Sequence, residues 1–209
     1  MQNDYDFSTR RLLLTMLKKC GPLSVGDMAK QLAVTEMAVR RHLNNMERDG
    51  LVETTLVRQP MGRPSHKYSL TINSESQFPN NYHNLTLDLL DELASSSDEN
   101  VIGRLFDKRK EKLVRKYADR MSANTLQDKV IELATIQNDN GYMAVWEQDD
   151  QGNYVINEFN CPIAQVANKY NHACESELAL FGELLGTEVE RIECLAKDGK
   201  KCKYVIQNK

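Results

Sequence analysis

The apolar positions in the first third of the chain follow a helical period and then a strand-like pattern. Apolar residues at spacings of three and four, with capping residues before them, predict three helices over residues 8–19, 24–33 and 35–49. Gly50 follows the third helix and is a residue type that ends helices. Two runs rich in β-branched and aromatic residues come next, over residues 51–58 and 66–71.

The remaining two thirds of the chain divides into a helical part and a mixed part. The polar run over residues 73–81 predicts a linker. Residues 82–138 show helical periodicity and predict a connector that also mediates dimerisation, and residues 139–209 alternate between strand and helix patterns. The sequence therefore predicts an α+β protein with an amino-terminal domain over residues 1–72 and a carboxy-terminal domain over residues 139–209.

The third predicted helix separates an apolar face from a polar one. Val39, Leu43 and Met46 recur at spacings of four and three, so they are expected to face the first two helices. A helix of this kind fits the major groove of DNA, where Arg pairs with guanine and Asn with adenine. The opposite face is predicted to contact double-stranded DNA through Thr35, Glu36, Met37, Arg40, Arg41 and Asn44.

The loop between the two predicted strands is short, stiff and basic. Arg58, Arg63 and Lys67 supply cations around a tip that contains Gly62. Such a loop suits contacts to phosphates or to the minor groove. Three helices followed by a hairpin with a basic tip predict a winged helix-turn-helix, and the alternative is a winged helix that binds proteins.

Composition and charge agree with this division. The net charge is −3, but residues 1–72 carry 11 Lys and Arg against 7 Asp and Glu, whereas residues 73–209 carry 16 against 23. A basic module on an acidic body favours local contact with phosphates. The chain has no apolar run near the roughly 18–20 residues of a membrane helix and starts without a secretory pattern, so we expect a cytoplasmic protein.

Four of the five cysteines lie in the last quarter of the chain, as Cys161, Cys174, Cys194 and Cys202. In a reducing compartment, clustered cysteines indicate metal ligands or redox groups rather than structural disulfides. Pro162 favours the first position of a helix, which would place the Cys161 thiol at a helix N-terminus and lower its pKa. Taken alone, Cys174 fits a buried structural residue, because it shares a helical face with Leu178 and Phe181.

The last predicted hairpin leaves two alignments open for Cys194. A three-residue loop with Gly199 in the left-handed conformation would set Cys194 opposite Cys202. A two-residue turn at Asp198-Gly199 would instead pair Leu195 with Cys202 and send Cys194 to the other face. We favour the first alignment, in which Cys194 is a fourth ligand or a disulfide partner of Cys202.

Two blocks of sequence resemble a known family. TEMAVRRHLNNMERDGLVE followed by GRPSHKYSLT, and NCPIAQVANKYNHACESELALFGELLGTEVER, are similar to the winged-helix regulators of the SufR type, which repress iron–sulfur biogenesis genes. The resemblance implies a homodimer that binds an inverted-repeat operator. It also implies a [4Fe–4S] or [2Fe–2S] cluster held by Cys161, Cys174 and Cys202, and carries over less directly to Cys194.

Other functions remain open from the residues alone. Four thiolates also suit zinc, although zinc sites usually contain closely spaced cysteine pairs. The tail VERIECLAKDGKKCKYVI resembles the ends of vinyl-reductase-type domains, which implies a sensor of small apolar molecules with incidental cysteines. Catalysis through Cys161 with His172 lacks a phosphate loop, a Ser-His-Asp order or a carboxylate pair, so we expect no enzyme.

Overall fold

The structure is a computed structural model that describes residues 9–58, 64–96 and 100–208. The chain divides between Asn80 and Asn81 into two compact units. The amino-terminal unit is a small helix-and-sheet domain, and the carboxy-terminal unit packs helices against a larger sheet. None of the described helices combines the length and the apolar character that crossing a bilayer requires.

Three helices form the amino-terminal unit, and their limits follow from capping residues. They are α1 (Thr9–Cys20), α2 (Val25–Leu32) and α3 (Glu36–Arg48). The side chain of Ser24 accepts a hydrogen bond from the Asp27 amide, and Asp27 bonds back to Ser24, so α2 begins with a capping box. Thr35 caps α3 by accepting a hydrogen bond from the Ala38 amide, without a reciprocal bond. Gly50 follows the end of α3 with a φ of +70°. The predicted third helix is confirmed.

A three-stranded antiparallel sheet completes this unit. Its strands are β1 (Leu23–Ser24), β2 (Val52–Val57) and β3 (Ser65–Leu70), in the order β1-β3-β2. The hairpin of β2 and β3 was expected from the sequence, whereas the two-residue β1 is too short to leave a periodic pattern. Val39, Leu43 and Met46 are fully buried among the helices, as predicted. The unit is a winged helix-turn-helix.

The segment after β3 is more ordered than its composition indicates. The sequence predicts a linker over residues 73–81, whereas Ile72–Gln77 forms a 3-10 helix. Ser74 is fully buried there, and its hydroxyl donates to the Thr71 carbonyl at 2.7 Å. Lys18 pairs with Glu75, which fastens the 3-10 helix to α1. Small polar residues form a compact turn here because their side chains satisfy neighbouring backbone groups.

Within its described residues, the carboxy-terminal unit has five α-helices and one sheet. The helices are α4 (Tyr82–Ser96), α5 (Val101–Tyr117), α6 (Leu126–Asp139), α7 (Ala164–Lys169) and α8 (His172–Leu185). The strands are β4 (Ala144–Gln148), β5 (Tyr154–Glu158), β6 (Val189–Glu193) and β7 (Cys202–Ile206), all antiparallel in the order β4-β5-β7-β6. The α+β class is thus confirmed for the described chain.

One core fills the space between this sheet and its helices. Ile156, Tyr204 and Ile206 of the inner strands are fully buried, and the ring of Phe181 packs 4.8 Å from that of Tyr204. Cys174, Cys194 and Cys202 belong to the same apolar cluster, and Cys161 packs against it. The sheet therefore brings four cysteines from distant parts of the sequence to one core.

Candidate functional site

The outer face of α3 is exposed along its first two turns. Val39, Leu43 and Met46 point into the core, so the opposite face remains open to solvent. The exposed residues include every position predicted to contact DNA on this helix, namely Thr35, Glu36, Met37, Arg40, Arg41 and Asn44. Their contact with DNA stays a prediction, but the fold leaves this face available to a groove.

Arg40 is held only loosely on this face. Its guanidinium lies 3.3 Å from the Glu36 carboxylate, one helical turn away, and both side chains are more than half exposed. Exposed ion pairs at this spacing stabilise a helix by only about 0.3–0.5 kcal/mol. Arg40 can therefore exchange Glu36 for a base or phosphate at little cost.

The wing is the hairpin of β2 and β3, and the structure describes its two strands but not residues 59–63. Arg58 is exposed directly after β2, and Lys67 is half-buried on β3, where it pairs with Thr55 across the hairpin. Gly62 and Arg63 lie outside the described residues. The positive charge of Lys67 also acts on the Asp27 carboxylate in the capping box of α2. The base of the wing thus places Arg58 in solvent and Lys67 near α2.

The cysteines meet at one end of the carboxy-terminal sheet. Glu158 on β5 pairs directly with Cys202 on β7. The pairing of β6 with β7 shifts by one residue between Arg191 and Glu193, after which Glu193 pairs with Lys203. The ladder ends there, so Cys194 lies just beyond the last paired residue of β6. The expected pairing of Cys194 with Cys202 stays a prediction, and a β-bulge that the sequence did not indicate sets the strand alignment that precedes it.

The turn after Cys194 differs from the predicted three-residue loop. Leu195–Lys197 forms a 3-10 turn, and Asp198, not Gly199, is left-handed with a φ of 60°. The amides of Lys197 and Gly199 both donate to the Cys194 carbonyl at 3.0 Å. A Cβ atom on Gly199 would lie 2.6 Å from that oxygen. Gly199 is needed for this close approach rather than for its φ, which corrects the prediction.

Two of the four sulfur atoms are immediate neighbours, and a third interacts with one of them. The Sγ atoms of Cys174 and Cys194 are 4.0 Å apart, although the residues come from α8 and from the end of β6. Cys194 also interacts with the thiol of Cys202, which accepts a hydrogen bond of 3.4 Å from the Leu195 amide. Cys161 is half-buried at the edge of the cluster, within electrostatic range of Cys194. We call these four residues the cysteine cluster.

Burial raises the pKa of three thiols, those of Cys161, Cys174 and Cys202. Burial raises the pKa of the Cys161 thiol to about 11, against the smaller opposite effect of a hydrogen bond from Ile163. The prediction of a lowered pKa at Cys161 was wrong, because α7 begins only at Ala164 and desolvation dominates. Burial likewise raises the pKa of Cys174 and of Cys202 to about 12. These pKa values keep the three thiols protonated at neutral pH, and a metal ion that bound them would have to displace the protons.

Two acidic residues beside the cysteine cluster were missed by the sequence analysis. Glu158 is fully buried; its Oε1 accepts a hydrogen bond of 2.7 Å from Gln137, and its Oε2 has no partner among the described residues. Burial raises the pKa of Glu158 to about 9. Glu177 accepts a hydrogen bond of 3.0 Å from the Tyr204 hydroxyl, and its pKa is also raised by burial. The only available signal was the apolar run over residues 154–156 that precedes Glu158 on β5.

A cavity reaches this region from the surface. It has a volume of about 300 Å³, and its walls include Gln137, Tyr142, Glu177 and the two residues that follow Cys161, Pro162 and Ile163. Solvent therefore reaches the side chains of Gln137 and Glu177, whereas no cysteine is part of the cavity wall.

The donor chemistry of the cysteine cluster fits a soft metal centre. With zinc–sulfur bonds of about 2.3 Å, tetrahedral geometry places neighbouring sulfurs about 3.8 Å apart. The 4.0 Å between Cys174 and Cys194 is close to that value. Among the described residues, however, no group of three His, Cys, Asp or Glu side chains already surrounds one point. Binding would therefore require side-chain movements that draw Cys161 and Cys202 inwards.

The match to a known family concerns the amino-terminal unit. Residues 8–54 match the family described as bacterial regulatory protein, arsR family. The match spans α1 to α3 and the start of β2, so this part of the chain is similar to the helix-turn-helix of that family. None of the curated proteins is significantly similar to the chain.

Solved structures of MarR-type regulators are distant matches. A zinc-responsive MarR family member, ZitR of Lactococcus lactis, has 20% identity over 54% of this chain and 79% of its own, with a TM-score of 0.29. A MarR family protein from Bacillus stearothermophilus has 24% identity over 57% and 78%, with a TM-score of 0.30. YusO of Bacillus subtilis has 20% identity over 55% and 74%, with a TM-score of 0.31. With TM-scores this low, these matches give no information about the ligands of this chain.

The fold and the family match together define the class of the protein. A winged helix that binds DNA has three parts that are present here. They are the order of the helices, an exposed face with two arginines on α3, and a hairpin wing. The protein is a DNA-binding transcription regulator of the winged-helix type.

Proposed function

We propose that this regulator binds its operator with an affinity controlled by an iron–sulfur cluster in the carboxy-terminal unit. The observation that carries the proposal is the 4.0 Å approach of the Cys174 and Cys194 sulfurs, with Cys202 beside them. The resemblance to SufR-type repressors adds Cys161 as a ligand. It also indicates genes of iron–sulfur biogenesis as the targets.

The cysteines would bind the cluster as thiolates from four separate segments. Cys161 follows β5, Cys174 lies on α8, and Cys194 and Cys202 flank the last turn. A cluster supplies a centre whose presence depends on iron and sulfide and whose redox state responds to oxidants. Binding of four thiolates would join the end of the sheet to α8, because metal ligation restricts every segment that supplies a ligand.

DNA binding is proposed to involve two copies of the chain. An inverted-repeat operator presents half-sites about 34 Å apart, and a two-fold dimer presents two recognition helices at that spacing. Helix α4 has an apolar stripe suited to self-association, formed by Tyr82, Leu85, Leu89 and Leu93, which are 72%, 54%, 58% and 39% exposed. Water-exposed leucines at helical spacing favour burial against a second helix. We propose that two α4 helices pair in the homodimer.

Zinc is the second candidate for the cysteine cluster. The distance between the Cys174 and Cys194 sulfurs is near that of neighbouring ligands on one tetrahedral ion. In that case the protein would still be a metal-dependent regulator, but it would report zinc rather than cluster supply. A sensor of apolar molecules with incidental cysteines is the remaining alternative.

The test begins with protein purified without oxygen. We expect a brown protein with broad visible absorption, and iron and acid-labile sulfide in similar amounts. A colourless protein that contains stoichiometric zinc would support the second candidate instead. A colourless protein without iron or zinc, which also takes up neither on reconstitution, would contradict both.

The link to DNA needs a separate measurement. Random-sequence duplexes are selected on the cluster-loaded protein, and the affinity for the selected duplex is measured by fluorescence anisotropy before and after chelation of the iron. We expect at least a tenfold loss of affinity on chelation. Equal affinities with and without the cluster would remove the proposed control, even if the cluster is real.

A further inference from the structure

Glu158 occupies a position where a carboxyl group is difficult to explain as a structural residue. It is fully buried on the inner face of β5, between the apolar side chains of this core. Burying a polar atom without a hydrogen bond costs about 1–3 kcal/mol, and more for a charged group. The side-chain amide of Gln137 donates a 2.7 Å hydrogen bond to Oε1, but Oε2 has no hydrogen-bond partner among the described residues. An unpartnered buried oxygen of this kind needs an explanation.

The unpartnered carboxyl group of Glu158 lies in the same cross-strand row as Cys202. Ala144, Glu158 and Cys202 are directly paired across the neighbouring strands β4, β5 and β7. Side chains of directly paired residues project from the same face, with Cβ atoms about 4.5–5.5 Å apart. Glu158 is also within electrostatic range of Cys161, Cys194 and Cys202. The buried oxygen and the sulfur atoms therefore share one end of one sheet face.

Gln137 holds the carboxyl group in the manner of a residue that supports a ligand. It lies on α6, is itself buried, and donates its side-chain amide to Oε1. Carboxylates that bind metals commonly have one oxygen fixed by such a hydrogen bond while the other binds. The amide thus determines how the Glu158 carboxyl group is oriented, and it leaves Oε2 available.

We propose that Oε2 of Glu158 binds the metal centre of the cysteine cluster, with Gln137 as its positioning residue. This inference rests on the proposed metal centre and goes beyond the four cysteines, because it adds an oxygen ligand. The centre would then have mixed sulfur and oxygen donors. Oxygen is a harder donor than thiolate, and soft metals prefer thiolate. The metal atom bound by Oε2 would therefore be bound less tightly than a metal atom with sulfur ligands alone.

The test compares two identical chemical changes on opposite faces of the sheet. Glu158→Gln removes the proposed ligand with almost no change in volume. Glu147→Gln is the matched control, because Glu147 is an exposed residue of β4 whose Oε1 accepts a 3.0 Å hydrogen bond from Asn157 on the other face. Each full-length protein is reconstituted without oxygen, once with iron and sulfide and once with Co²⁺ alone. Absorption and electron paramagnetic resonance spectra are recorded, and Co²⁺ affinity is measured by titration.

We expect Glu147→Gln to match the wild-type protein in all these measurements. Glu158→Gln should change the spectrum of the bound metal and weaken Co²⁺ binding by at least tenfold. Gln137→Leu, which keeps the carboxyl group but removes its anchor, should weaken binding about 10- to 100-fold and retain the oxygen-ligand spectrum. Glu158→Asp should restore part of the affinity lost in Glu158→Gln.

The outcomes separate this inference from the proposed function. If wild-type protein binds metal and Glu158→Gln gives the same spectra and affinity, Glu158 is a structural residue and the inference is wrong, while the metal centre stands. If wild-type protein binds neither iron, zinc nor Co²⁺, both are wrong. Circular dichroism of each metal-free variant identifies loss of fold. If Glu158→Gln unfolds, the two other variants decide the question. A wild-type metal spectrum in Glu158→Asp, together with unchanged Co²⁺ affinity in Gln137→Leu, would then overturn the inference.

Discussion

Cys174 and Cys194 lie with their sulfur atoms 4.0 Å apart, although 20 residues separate them in the chain. One comes from the first turn of α8 and the other from the end of β6. The Arg191 guanidinium donates to the Cys174 carbonyl at 2.7 Å, which adds a second link between the same two segments. The pair marks the centre of the proposed metal site and gives a direct test of it.

Replacement of either cysteine of this pair should remove the metal centre. We expect Cys174→Ser and Cys194→Ser each to lower the iron content and visible absorption of anaerobic protein to below half. Cys20→Ser is the control, because Cys20 is exposed at the end of α1 in the other unit. If both variants keep the full absorption, the two cysteines are structural.

The turn at Gly199 should be sensitive to a single methyl group. Because a Cβ on Gly199 would lie 2.6 Å from the Cys194 carbonyl oxygen, Gly199→Ala must displace the backbone that positions Cys194. We expect a stability loss of about 1–3 kcal/mol, measured by urea unfolding, and weaker metal binding. Asp198→Gly in the same turn should be tolerated, since Asp198 already has a φ of 60° that glycine adopts without strain. Equal effects of the two changes would contradict the close-approach argument.

The arginines of α3 should supply binding energy for DNA. Arg40→Ala and Arg41→Ala are each expected to cost about 1–3 kcal/mol of operator affinity in anisotropy titrations, because both are exposed on the face predicted to enter the groove. Arg48→Ala, at the far end of the same helix and 4.0 Å from Asp49, should change the affinity much less. A larger loss for Arg48 would mean that the helix approaches DNA in another orientation.

The apolar stripe of α4 should determine the association state. The double change Leu85→Lys and Leu89→Lys places charge on two residues that are 54% and 58% exposed, so the monomer should fold normally. Sedimentation equilibrium is expected to show a monomer where the wild-type protein is a dimer. Ile131→Lys on α6 serves as the control, because Ile131 is also partly exposed but lies outside the stripe. An unchanged mass in the double variant would place the interface elsewhere.

The capping box of α2 predicts a pH-dependent contribution to stability. The Ser24 hydrogen bonds lower the pKa of Asp27 below its ordinary 3.8, so the ionised carboxylate stabilises the folded state above that pH. The contribution is lost as the pH falls through the lowered pKa. Ser24→Ala should cost about 1 kcal/mol at pH 7 in urea unfolding, and the difference from wild type should shrink below about pH 4.

Thr35 gives the matched control for this pH effect. It caps α3 through the Ala38 amide at 3.2 Å, and the residue at that third helical position is not acidic. Thr35→Ala should therefore lower stability by a similar amount without the same dependence on acid. A parallel pH dependence in both variants would show that Asp27 is not the responsible group.

Local signals were sufficient for the three helices and the hairpin of the amino-terminal unit. The start of α3 at Thr35, its end near Gly50 and its buried stripe of Val39, Leu43 and Met46 depend on capping and on a period of 3.6 residues. Such features involve residues within a few positions of one another, so a single sequence contains them. For the same reason the sequence predicted the exposed face that is proposed to contact DNA.

The sequence by itself determined that four cysteines are available in one domain, and tertiary structure decided how they meet. The bulge between Arg191 and Glu193 sets the alignment of Cys194, and the packing of α8 brings Cys174 to it. Burial raises the pKa of Cys161, whereas the sequence predicted a lowered pKa. Burial also leaves Oε2 of Glu158 without a hydrogen-bond partner among the described residues. Strand alignment and desolvation depend on residues far apart in the chain, and local patterns do not contain that information.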